Sequence, residues 1–265
     1  TSSGDSGGFS LTTGDALNGK SGGFKLKIGS GDTGHGGNIE MIAGKTTDEA
    51  SGGNFHVSTG YSTKTSSGHL LLETVNAGAN GVSGAVQINT GTSSAGTTGS
   101  MTLNTGHATG GKAGDMVFSI GTGNTGSGGD MSISAGKTTD RARGGDITLK
   151  TGFSTKTSSG SLYVSTPNAG ISGVSGKIHI TTGISTAGNS GSYTLTTRDA
   201  TGGKSGDMKF HIGTGNVGNG GSFSLDVGDT TGANGDGGSI TVVAGHADDG
   251  VSNNGGSITV TAGHS

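Results

Sequence analysis

The sequence predicts an all-β solenoid, on three observations: an unbroken glycine position, a short fixed period and a two-residue alternation. Seventeen apolar anchors, from Phe9 and Phe24 to Ile240 and Ile258, each have a glycine two residues earlier. Their spacing is 15 or 16 residues until the last two intervals, which are 17 and 18. Self-similarity at a short fixed period is the signature of a repeat architecture. Within each unit the alternation sets the element: in Phe55-His56-Val57-Ser58-Thr59, residues 55, 57 and 59 fall on one side and 56 and 58 on the other.

Two more positions are restricted. The residue two after the anchor is always apolar, as in Leu11, Leu26, Met41 and Val57. The residue four after it is always Thr, Ile, Val or Ala. This predicts one strand per unit with two large inward side chains and one small or β-branched one. Glycine closes the strand in fourteen of seventeen units, with Val75, Pro167 and Arg198 the exceptions. Two residues past that corner the side chain is always small, as in Ala16, Gly31, Thr46, Ser62 and Ala77, which suggests a second wall packed on the apolar face.

If each unit is one turn, seventeen turns at roughly 4.8 Å make a rod of about 80 Å. The alternative is a wider triangular coil of about 46 residues, because consecutive trios of units sum to that length. A longer period overlies the short one. Lys45-Thr46-Thr47-Asp48 returns as Lys137-Thr138-Thr139-Asp140, and Tyr61-Ser62-Thr63-Lys64-Thr65 as Phe153-Ser154-Thr155-Lys156-Thr157, each at an offset of 92 residues. Residues 1–265 are therefore read as one repeat domain. With no capping element in the pattern, they are read as a segment of a longer repeat protein or one whose ends stack.

Composition narrows the function. With 61 glycines, one proline and no glycine at every third position, the chain is not collagen. A net charge of -3 gives no basic footprint for nucleic acid, and no apolar run is long enough for a membrane helix. There is no cysteine for a disulfide framework and no Asn-x-Ser/Thr sequon for N-glycosylation.

Nor does the pattern assemble a catalytic group. The outward acids Glu40, Glu73 and Asp226 are scattered, where glycoside chemistry needs paired carboxylates. Hence no catalytic residue, cofactor or metal is assigned. Gly31-Asp32-Thr33-Gly34 and Asn234-Gly235-Asp236-Gly237 resemble calcium-binding turns. The aspartate is not repeated from unit to unit, so ordinary turns are expected. His246 with Asp248 and Asp249, and His264, are read as solvated loop residues.

A candidate surface does emerge on the polar connectors: a threonine row through Thr47, Thr63, Thr109, Thr139, Thr155, Thr186, Thr201 and Thr231. It is similar to the threonine ladders that insect antifreeze solenoids present to ice, although Lys64 and Lys156 interrupt it.

The motif Ser-Gly-Gly-x-Φ-x-Φ-x-Thr-Gly, with the blocks Ser-Thr-x-Thr-Ser-Ser-Gly, Asn-Ala-Gly-x-x-Gly-Val-Ser-Gly and Ala-Thr-Gly-Gly-Lys, resembles the long Gly/Ser/Thr-rich repeat proteins of diatoms, oomycetes and related algae. The resemblance spans nearly the whole chain. It implies a secreted or cell-surface protein and brings no activity or catalytic residues with it. The expectation is a non-enzymatic extracellular structural protein that self-associates into fibres or a surface layer. Ice binding and glycan binding or adhesion are the alternatives.

Overall fold

The computed structural model describes residues 4–247 and 254–263. It corrects the predicted fold. Among the described residues there is no strand and no helix, so neither the narrow solenoid nor the wider 46-residue coil forms. The chain divides into two units, Thr1–Met131 and Ser132–Ser265.

The predicted inward face is not inward. No described residue is buried, and the large side chains of the apolar rows range from 42% exposed at Ile28 to 92% at Phe9. Total accessible surface is 27,180 Å². A compact chain of this mass would expose about 10,000 Å² and a fully unfolded one about 37,000 Å². The single chain thus leaves most of its coverable surface in water. The physical reason lies in the composition: two large apolar side chains per unit must order some fifteen residues, several of them glycines with high conformational entropy.

What does form is local. Backbone hydrogen bonds close the necks of the polar connectors, glycine to glycine: Gly53 N–H to Gly44 O at 2.8 Å, Gly68 to Gly60 at 2.9 Å, Gly145 to Gly136 at 2.9 Å and Gly160 to Gly152 at 2.9 Å. Gly238 to Gly228 and Gly256 to Gly245, both at 2.9 Å, close the two longer connectors near the end. Closing a loop of eight to eleven residues costs little entropy, whereas pairing whole units against one another must order every arm as well.

The necks account for two of the sequence rows at once. The glycine two before the anchor faces the residue four after the previous anchor in most units, Gly22 and Gly99 being exceptions with open space around them. A Cβ on Gly37 would stand 2.7 Å from Ile28 Cγ2, one on Gly129 2.9 Å from Ile120 Cγ2, and one on Gly221 2.7 Å from Ile212 Cγ2. At Gly53 the nearest atoms are Gly44 N at 3.2 Å and Ala43 Cβ at 3.6 Å. The unbroken glycine therefore leaves room for the neck rather than turning a solenoid corner. The position it faces is where cover is greatest: Ala43, Thr151 and Ala244, three of the four half-buried residues described, all occupy it.

Ile28→Ala should accordingly relieve Gly37→Ala. The single glycine variant should shift amide resonances across residues 28–37, and the double variant should return most of them. Persistence of the shifts in the double variant would refute the contact.

Candidate functional surface

Where the residue two past the opening corner is Ser or Thr, its hydroxyl organises the connector. Ser62 Oγ accepts from the backbone N–H of Lys64 at 3.2 Å and of Thr65 at 2.9 Å, and pairs with Thr65 Oγ1 at 3.1 Å. Ser154 repeats this with Lys156 at 3.2 Å, Thr157 at 2.9 Å and Thr157 Oγ1 at 3.0 Å. Ser93 and Ser185 accept from the N–H of Gly96 and Gly188 at 3.0 and 3.1 Å. Thr46 Oγ1 accepts from Asp48 N–H, and Thr138 Oγ1 from Asp140 N–H, both at 3.2 Å.

These are Ser/Thr turns, in which a short hydroxyl stands in for a backbone acceptor. They replace the packed wall inferred from the same row. The polar character of Ser62, Ser93, Ser154 and Ser185 was the available signal, because a wall would have been filled by alanine as readily. At Ala77 and Ala169 the connector uses a backbone turn instead, with Gly81 N–H to Gly78 O at 3.1 Å and Gly173 N–H to Gly170 O at 3.3 Å.

The threonine row begins one residue later. Thr47, Thr63, Thr109, Thr139, Thr155, Thr186 and Thr201 each stand at the start of a bend, and Thr231 just before one; all eight are exposed. Neighbouring hydroxyls thus divide the work: residue 62 builds the loop and residue 63 faces solvent. Ser62→Ala should remove one acceptor and cost about 1 kcal/mol in loop order. The check is the amide temperature coefficient of Thr65, which should rise, while Thr157 in the equivalent loop should stay unchanged.

Charge is paired locally as well. Lys112 Nζ lies 2.8 Å from Asp115 Oδ1, Lys204 Nζ 2.7 Å from Asp207 Oδ1, and Arg143 Nη2 2.6 Å from Asp146 Oδ2. Each pair spans the glycine before an anchor, and each is exposed, so it fixes local geometry more than it stabilises.

The 92-residue period is a period of geometry as well as of letters. The loops at Ser62 and Ser154 match bond for bond. Gly34, Gly126 and Gly218 carry positive φ values of 73°, 74° and 79°, a backbone state that glycine adopts without strain. An open hollow beside Leu103, Asn104, Thr105 and His107 has a counterpart at Thr196, Thr197, Arg198 and Asp199, 92 residues on.

Among the described residues no three His, Cys, Asp or Glu side chains converge as a metal site. Asp226 accepts a hydrogen bond from Ser224 Oγ at 3.1 Å. Asp248, Asp249 and His264 lie outside the described residues. No helix among those described is long and apolar enough to cross a membrane. No family model, curated protein or solved structure matches the chain.

Proposed function

We propose that this chain is a non-enzymatic structural component of an extracellular matrix or cell surface, working by association with copies of itself into fibres or a layer. The observation that carries this reading is the exposure of every apolar row in the isolated chain. Large contiguous apolar surface on a single chain marks a site of association. Here the rows recur at fixed intervals, so any mode of association open to one unit is open to the next. The low net charge opposes association only weakly.

Sedimentation velocity over a concentration series tests it. The expected result is a shift from monomer to large species at a defined critical concentration, with ordered assemblies by electron microscopy. A monomer at every concentration would refute it.

A second reading, binding to a polysaccharide or ice surface, draws on the eight outward threonine hydroxyls. Thermal hysteresis, or retention on an insoluble glycan that Thr63→Lys and Thr155→Lys abolish, would favour it.

A further inference from the structure

We infer that Asn219-Gly220 is a site of spontaneous succinimide formation, at which the chain converts its own asparagine to aspartate and isoaspartate. This is independent of the self-association reading. It follows from where the asparagine–glycine bonds fall and from what holds each of them.

Asparagine is thermally labile because its side-chain amide lies within reach of the next backbone nitrogen. A Cβ on the following residue shields that nitrogen, and glycine has none. The chain contains five such bonds, Asn18-Gly19, Asn80-Gly81, Asn219-Gly220, Asn234-Gly235 and Asn254-Gly255, and each lies on a polar connector. All are exposed.

Their backbones are held differently. Gly81 N–H donates to Gly78 O at 3.1 Å, so its nitrogen is engaged. A Cβ on Gly255 would stand 3.3 Å from Gly245 O, against the neck that Gly256 closes, and one on Gly235 would stand 3.1 Å from Thr230 Oγ1. Gly19 is more open, with Ala16 Cβ at 4.0 Å. A Cβ on Gly220 would meet nothing within 4 Å. Neither Gly220 N–H nor the Asn219 side-chain amide has a hydrogen-bond partner among the described residues.

The repeat supplies its own controls. Asn216 lies in the same bend, residues 216–219, but is followed by Val217. The equivalent bend 92 residues earlier, 124–127, contains Gly126 at φ 74° where the later one has Gly218 at 79°. It carries Ser127 before Gly128, so the loop geometry is kept and the reactive amide is absent.

In the reaction the Gly220 nitrogen loses its proton to hydroxide and attacks Cγ of Asn219. The N–Cγ bond forms, the Cγ–Nδ2 bond breaks, and the amide nitrogen takes a proton from water and leaves as ammonia. Water then opens the cyclic imide at either carbonyl, giving aspartate or isoaspartate. Water is the only co-reactant, and nothing is oxidised or reduced. Each conversion adds one negative charge to a chain whose net charge is -3.

The test is peptide mapping by mass spectrometry of the full-length chain, sampled over time in mildly alkaline buffer. Asn219 should convert first, giving aspartate and isoaspartate together, while Asn216 stays intact. Asn80 should lag about fivefold, the factor imposed by giving up one neutral hydrogen bond. In concentrated urea, which frees the Gly81 nitrogen, the gap between residues 219 and 80 should close. A Ser127→Asn variant should react at position 127 as fast as at 219, because the two loops share one geometry. Conversion at 219 no faster than at 80 in buffer, a gap that survives in urea, or an unreactive position 127 in the variant would each overturn the assignment.

Discussion

Replacing Leu103 and Leu195 with aspartate should leave the single chain almost unchanged and abolish its assembly. Leu103 is 60% exposed and Leu195 54%, so neither has a core to lose. Substitutions at such positions usually change stability by no more than about 0.5 kcal/mol. Circular dichroism and amide resonances of dilute protein should therefore match the parent away from the two sites.

In an assembly the same leucines would be covered. Losing the burial of one such side chain costs about 2 kcal/mol, which raises the critical concentration about 30-fold per site, before the cost of desolvating the new carboxylates. With both sites changed, the shift should exceed any practical protein concentration. A double variant that assembles at the parent's critical concentration would mean the apolar rows are not the contact surface. One that loses structure as a dilute monomer would mean these side chains already support the single chain.

The second large effect is expected at a neck. Gly53→Val should open the loop between Gly44 and Gly53. The Gly53 amide donates to Gly44 O at 2.8 Å, and an added Cβ would meet Gly44 N at 3.2 Å and Gly44 O at 3.4 Å. Both are backbone atoms of the very residue that accepts the bond, so the shift that relieves the contact falls on the bond itself. Overpacking of this kind costs roughly 1–3 kcal/mol, more than a single local hydrogen bond returns. At Gly37 the approach is shorter still, 2.7 Å to the Cγ2 of Ile28, a β-branched side chain restricted at χ1, so an added Cβ there forces a shift as well. Loss of the through-hydrogen-bond coupling at residue 53, with Gly145 unaffected in the equivalent neck, is the expected signature. An intact coupling in the valine variant would refute the assignment.

Gly53 also shows how far the sequence can be read. Its position two before Phe55 is legible as indispensable, and so is the partner row at Ala43, Thr59 and Ile28. That the two rows face each other across a neck is not legible, because period alone does not distinguish a corner from a loop closure. Ser62 and Ser154 are similar. Their smallness is visible in the sequence, but their role as acceptors for Lys64, Thr65, Lys156 and Thr157 appears only with the backbone path. The threonine row from Thr47 to Thr231 was readable as a set, and its exposure follows from the neighbouring residue taking over the loop's internal bonding.

The sequence by itself determined the repeat: the anchors, the glycine before each, the hydroxyl-rich connectors and the 92-residue block, since all are consequences of residue order. Only the tertiary structure decided whether those units stack. Alternation of apolar and polar residues predicts a face but not a partner for it. Where two apolar side chains must order a whole glycine-rich unit, local loop closure is favoured and strand-to-strand pairing within one chain is not. An unstacked chain carries the pattern that predicts a solenoid equally well, and the apolar rows expected to form a core stand in solvent.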